Sequence, residues 1–161
     1  MAYLLDSNVF IESKNRFYGF DFCPAYWDWL DAANAEGTVF SVERVSDELV
    51  GGDDELAAWA RARPGLFLPP DATVVTSLQA VSLWASSQDY DAAAVSTFLD
   101  AADYYLVAHA HAYGHVVVTR EVVAHTRKKI KIPNACIGMS VKCINLFDML
   151  RAERARFVLE S

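Results

Sequence analysis

Leu4-Leu5-Asp6-Ser7-Asn8-Val9-Phe10-Ile11 is the stretch that decides how this chain folds. Tyr3, Leu4 and Leu5 form a short apolar run, the pattern of a buried strand. Asp6 follows at its C-terminal end. Ser7 and Asn8 are both good helix N-caps, and Val9, Phe10 and Ile11 restart an apolar pattern. Asp6 is therefore expected where a strand hands over to a helix. In open parallel α/β sheets that edge is where ligands bind. A single Asp at such a place is commonly a turn or cap residue. What gives this one more weight is that three further carboxylates occupy comparable places later in the chain.

The 161 residues are enough for one domain with a real core, and 53% apolar against 22% charged residues is a globular composition. No stretch approaches the ~20 apolar residues of a membrane span, and Met1 leads into the first strand with no basic segment of a signal peptide. Cys23, Cys136 and Cys143 are odd in number and scattered, so they form neither a disulfide framework nor a CxxC pair. A reducing cytoplasm is the expected setting. The net charge of -7 argues against coating nucleic acid through bulk charge. It leaves room for an enzyme that holds a metal with clustered carboxylates and grips phosphate with a local basic patch.

Outward from residues 4–11, the aromatic stretch from Arg16 to Pro24, broken by Gly19, is expected to be an ordered loop over 14–23. Its aromatic residues are expected to anchor the core or the loop, with base stacking as the other use. A helix over 25–36 follows and closes at Gly37. Val39 and Phe40 enter as a short extended segment, and Ser41 is expected to cap a helix over 42–50. Further helices are expected over 54–63, 73–86, 91–99 and 103–113, the last ended by Gly114. Val116, Val117 and Val118 read as a buried strand. A short helix begins at Pro133, a strand is expected within 141–144, and a last helix spans 146–154. No repeat or linker divides 1–161. The order predicts a single α/β domain with a small, mainly parallel sheet surrounded by helices.

Asp103 lies near the start of its helix, and at ~100° per residue it projects into the stripe of Leu106, Val107 and Ala110, while Tyr105 and Ala108 point away. An ionised carboxylate there is costly to bury without a partner, and no Arg or Lys lies within 103–119. A helix N-cap would occupy a similar place. Glu48 flanks the stripe of Val42, Val45 and Leu49, whereas Glu43 and Asp47 turn further towards solvent. Glu121 comes just past the valine strand, as Asp6 comes just past the first. Thr119 is expected to cap a following helix with Glu121 in its first turn, which the helix dipole favours. Together these acids repel one another, so some must take up protons or share a cation. Mg²⁺, a hard ion that prefers oxygen ligands and phosphate, resolves that repulsion. It can also activate a bound water for phosphodiester hydrolysis.

The segments around Asp6, Glu48 (Val45-Ser46-Asp47-Glu48-Leu49), Asp103 (Asp103-Tyr104-Tyr105-Leu106) and Glu121 (Val117-Val118-Thr119-Arg120-Glu121) resemble, in order and spacing, the four blocks of a PIN-domain ribonuclease. The 3–24 segment is similar in particular to an uncharacterised PIN-like subfamily of toxin candidates. The resemblance implies a Mg²⁺- or Mn²⁺-dependent endoribonuclease, the VapC-like toxin of a type II toxin–antitoxin pair, with RNA as substrate, an antitoxin as partner and often a homodimer. It also implies Asp6, Glu48, Asp103 and Glu121 as catalytic and metal-site acids, with Asn8 and Thr119 in support. Glu121 stands where the family more usually has Asp, and Asn134 stands where another acid could have joined, which leaves one or two metal ions open. Arg120, Arg127, Lys128, Lys129 and Lys131 cluster beside Glu121 and are the candidate RNA grip; a solvated basic surface or an antitoxin contact is the alternative.

His109, His111 and His115 lie close in sequence, but on a helix His109 and His111 are ~200° apart and only His111 and His115 share a face, which argues against a zinc site. There is no G-x-S-x-G, P-loop or G-x-G-x-x-G. The main alternative to a nuclease is a PIN-like RNA-binding or protein-interaction module with weak or no nuclease activity.

Overall fold

The computed structural model describes residues 1–159. Five strands, β1 (Tyr3–Leu5), β2 (Val39–Val42), β3 (Phe67–Leu68), β4 (Val116–Val118) and β5 (Cys143–Ile144), form one sheet in the order β3-β2-β1-β4-β5. Every neighbouring pair is parallel. All residues of β1 and β4 are buried. Strands buried on both faces need helices on both faces, which is why their sequences are unbroken apolar runs without alternation. From β1 the chain builds β2 and β3 on one side, and β4 and β5 complete the other. The order thus reverses between β1 and β4, and Leu5 pairs with Val118 at their C-terminal ends. In such sheets that crevice is the natural ligand site.

The helices are α1 (Ser7–Glu12), α2 (Pro24–Ala35), α3 (Glu43–Val50), α4 (Glu55–Arg61), α5 (Ala72–Ser87), α6 (Ala92–Leu99), α7 (Ala102–Tyr113), α8 (Ile132–Gly138) and α9 (Leu146–Ala152). Their ends follow local chemistry. Asp54, Asp71 and Asn145 each accept a backbone N–H two or three residues into α4, α5 and α9. Gly114, at φ 69°, closes α7 in the left-handed conformation that glycine adopts freely. α7 packs against β2, β4, α3, α5, α6 and α8. Its residues Leu106 to Ala110 are all buried, so it is a central helix and Ala108 does not face away from the core. Among the described residues no helix is long and apolar enough to cross a membrane.

Several local expectations are corrected. The 14–23 stretch is not a loop from its start: α1 runs on into a π-helical turn, Ser13–Phe17. As expected of anchors, Tyr18 stacks on Tyr26 at 4.4 Å and Phe20 on Trp27 at 4.1 Å, whereas Phe22 is exposed. Ser41 does not cap a helix. It belongs to β2, and its hydroxyl donates to the Leu5 carbonyl at 2.6 Å, tying β2 to β1. β3 carries no signal beyond two apolar residues after a Pro-Gly turn. After β4 there is no helix for Thr119 to cap, and 119–131 is irregular apart from bends. His109 and His115 come together, ring centroids 6.3 Å apart, because the Gly114 turn folds the chain back. His111 instead bonds Ser77.

Candidate active site

The site is assembled at the crevice between β1 and β4. The Asp6 N–H donates to the Val118 carbonyl at 3.0 Å, continuing the ladder one residue past β1. Its carbonyl accepts from the Val9 N–H, which starts α1. With its backbone claimed by strand on one side and helix on the other, the side chain can only project into the crevice, where Asp6 is 2% exposed. Thr119 occupies the matching place after β4 and is also buried. Its hydroxyl donates to Asp6 Oδ2 at 2.9 Å and accepts from the Glu121 N–H at 3.1 Å. One hydroxyl thus orients Asp6 and turns the chain so that Glu121 returns to the same edge.

Glu48 lies on the outer turn of α3 and is exposed, yet its Oε2 accepts from the Ser7 hydroxyl at 2.5 Å. Ser7 is the site residue that the sequence analysis missed. It has the composition of a helix cap, but Asp6 occupies the N-cap position of α1, which frees the Ser7 hydroxyl for α3. Asp103 is not an N-cap either: Ala101 precedes α7, and Asp103 sits within the first turn. It lines a cavity of about 360 Å³ together with Glu48, Lys128 and Lys129. Glu121 Oε1 is buried with no hydrogen-bond partner. Asn8 is exposed, and its only influence on Asp6 is through its backbone, which helps to lower the Asp6 pKa. Asn134 stands apart from the acids: its amide bridges the N–H and carbonyl of Ala124 and pins the 119–131 segment.

The electrostatics follow from this crowding. Burial pushes the Asp6 carboxyl up to about 6, opposed by the Thr119 hydrogen bond and reinforced by the charges of Glu121 and Glu48. Burial likewise raises Asp103 to about 7, with Asp6, Glu121 and Glu48 adding to the rise and Lys129 opposing it. Asp6 and Asp103 therefore both lie in the field of Glu48 and Glu121, and the group is short of positive charge. The donor set is made of oxygens alone, and Glu121 Oε1 is a buried acceptor without a donor, so the residues present fit a hard divalent cation. The fit is one of donor chemistry: among the described residues, no group of three or more His, Cys, Asp or Glu side chains is placed to hold a metal ion together.

The basic residues divide into two sets. Arg120 is held by Glu12 at 3.2 Å over the Phe17 ring, and Arg127 by Asp89 at 3.1 Å. Lys128 and Lys129 line the cavity that Asp103 and Glu48 share, and Lys131 immediately precedes α8. On the β5 side of the acids lies a second, larger cavity of about 530 Å³, which reaches from Thr119 and Glu121 to Asn145 and Asp148.

No curated protein matches this chain. Among solved structures, the crystal structure of FitAcB from Neisseria gonorrhoeae superposes with a TM-score of 0.54 at 21% identity, over 89% of this chain and 96% of that one. The shared architecture is the PIN-like α/β fold, a mainly parallel sheet enclosed by helices. The family model described as "Domain of unknown function (DUF4411)" matches residues 3–157, and the chain belongs to that family.

Proposed function

We propose that this protein is a divalent-metal-dependent endoribonuclease that hydrolyses RNA phosphodiester bonds and serves as the toxin of a type II toxin–antitoxin pair. The observation that carries the reading is the carboxylate group at the β1/β4 crevice, where burial and mutual repulsion hold Asp6 near 6 and Asp103 near 7. Such an arrangement is costly unless a cation or a proton compensates it, and it is built into a crevice where ligands bind. Asp6, Asp103 and Glu121 would hold Mg²⁺ or Mn²⁺, with Glu48 contributing its remaining oxygen. The metal, when bound, would supply a water of lowered pKa and offset charge on the attacked phosphate.

The chain's own residues carry the rest. Thr119 holds Asp6 in one orientation, so its second oxygen stays directed into the crevice. Ser7 does the same for Glu48. Lys128 and Lys129 stand at the rim nearest Asp103 and offer mobile cations to the RNA backbone. Arg120 and Arg127, already paired with acids, and Lys131 extend that surface. A cognate antitoxin, a homodimer and a cytoplasmic setting belong to the toxin reading. A second reading, an RNA-binding or protein-interaction module with weak or no nuclease activity, draws on the absence, among the described residues, of any group of three or more His, Cys, Asp or Glu side chains placed to hold a metal ion. The two separate in one assay. Single-stranded RNA incubated with millimolar Mn²⁺ or Mg²⁺ should be cleaved, EDTA should stop cleavage, and Asp6→Asn should abolish it. No metal-dependent cleavage by the wild-type protein would remove the nuclease reading, and turnover by Asp6→Asn at the wild-type rate would remove this site.

A further inference from the structure

Two cavities flank the carboxylates, and their linings differ. The one beside Asp103 carries Lys128 and Lys129. The one beside Glu121 is walled by Ile137, Val141 and Ile144 and lined at its far end by Asn145 and Asp148, both exposed. Its cation, Arg120, is already engaged by Glu12. A phosphate would be repelled there by Glu121 and Asp148, whereas an uncharged, flat group that donates hydrogen bonds would be welcomed. At about 530 Å³ the cavity is large enough for a nucleoside.

The far end is also patterned. Asn145 Oδ1 accepts from the Asp148 N–H at 2.8 Å, which fixes the amide and leaves its NH₂ as a free donor. That cap uses the backbone of Asp148, so its carboxylate is left as a two-oxygen acceptor. One donor beside a paired acceptor complements the Watson–Crick edge of guanine, which presents O6 next to N1–H and N2–H₂. Adenine and cytosine each offer only one donor group on that edge, and uracil one N–H. We propose that this cavity seats a guanine base adjoining the scissile phosphate, with Asp148 and Asn145 as its readers. The proposal rests on RNA being the substrate of the neighbouring carboxylates, and it makes the enzyme guanine-selective at one position next to the cut.

The test uses binding in EDTA, where cleavage plays no part. Fluorescence anisotropy should be measured for uridine pentanucleotides carrying G, A, C or U at the centre. The G oligonucleotide should bind about tenfold more tightly than the all-U one, the lower range for a bidentate base contact. Asp148→Asn should collapse the G-to-U ratio towards one, because the amide offers a donor where guanine also donates. Ile137 is 68% exposed, so Ile137→Glu blocks the cavity mouth without touching the core, and it too should erase the ratio. Equal affinity for all four oligonucleotides would overturn the proposal. So would a G preference that survives Asp148→Asn, and binding indifferent to Ile137→Glu would give the cavity to a different occupant, such as a protein segment. Guanine selectivity without metal-dependent cleavage would count against the nuclease reading alone, and cleavage without selectivity against this one alone.

Discussion

Replacing Asp103 by Asn should stabilise the metal-free protein, and do so increasingly as pH rises. The native fold raises the Asp103 carboxyl from 3.8 to about 7, through burial first and the charges of Asp6, Glu121 and Glu48 next. Below about pH 4 the group is protonated in both folded and unfolded chains, and the site carries no penalty. As pH rises through the interval between those values, the unfolded chain releases the proton and the folded one retains it, so stability falls; above about 7 the penalty is complete. A rise from 3.8 to about 7 corresponds to at most ~4 kcal/mol, at ~1.4 kcal/mol for each factor of ten in proton affinity. Asp103 is not fully enclosed and shares its repulsion with three neighbours, so about half, ~2 kcal/mol, is the realistic gain near pH 8. For a chain of this size that is roughly 4–8 °C in melting temperature. The constant offset from exchanging a carboxyl for an amide cancels when the variant-minus-wild-type difference is followed from about pH 5 to pH 8 in EDTA. Millimolar Mn²⁺ should narrow the gap: at ~10 times Kd it stabilises wild type by roughly 1.4 kcal/mol and the Asn variant by less. A pH-independent difference, or a variant that loses ground as pH rises, would refute the premise that Asp103 stands in a field of unscreened carboxylates.

Thr119→Val keeps the shape of the side chain but strips the buried hydrogen bonds to Asp6 and to the Glu121 N–H. It should lower unfolding stability by about 2–3 kcal/mol in urea, and it should move the acid limb of the cleavage profile to higher pH, since the lost bond was lowering the Asp6 pKa. Lys128→Gln with Lys129→Gln should weaken RNA binding and reduce the slope of log K against log salt by up to about 1.4, at ~0.7 per lost contact on a single strand. Binding titrations at several salt concentrations check this, and an unchanged slope would assign the two lysines to another partner.

The elements that can be read from the chain are those whose signal is local. The apolar run before Asp6 and the valines of β4 announce buried strands, and Gly114 announces the end of α7, because each rests on patterning or on one residue's backbone freedom. β3 was illegible because two residues have no period, and they become a strand only when Ser41 and Val42 stand beside them. Ser41 and Ser7 illustrate the same limit within the site. Both look like helix caps, since Ser is good at capping, and both give their hydroxyls to partners 36 and 41 residues away.

The four acids can be nominated from sequence because each ends a strand or edges an apolar stripe. What sequence cannot state is which of them meet, which are buried and what holds them. Thr119 and Asp6 share a hydrogen bond across 113 residues, and that bond exists only because β1 and β4 pair in parallel with Leu5 opposite Val118. The raised values of Asp6 and Asp103 are likewise properties of the folded crevice, where burial removes water and brings the other charges near. Side-chain type and local periodicity are written in the chain. Register, burial and the field of distant charges arise when the sheet closes.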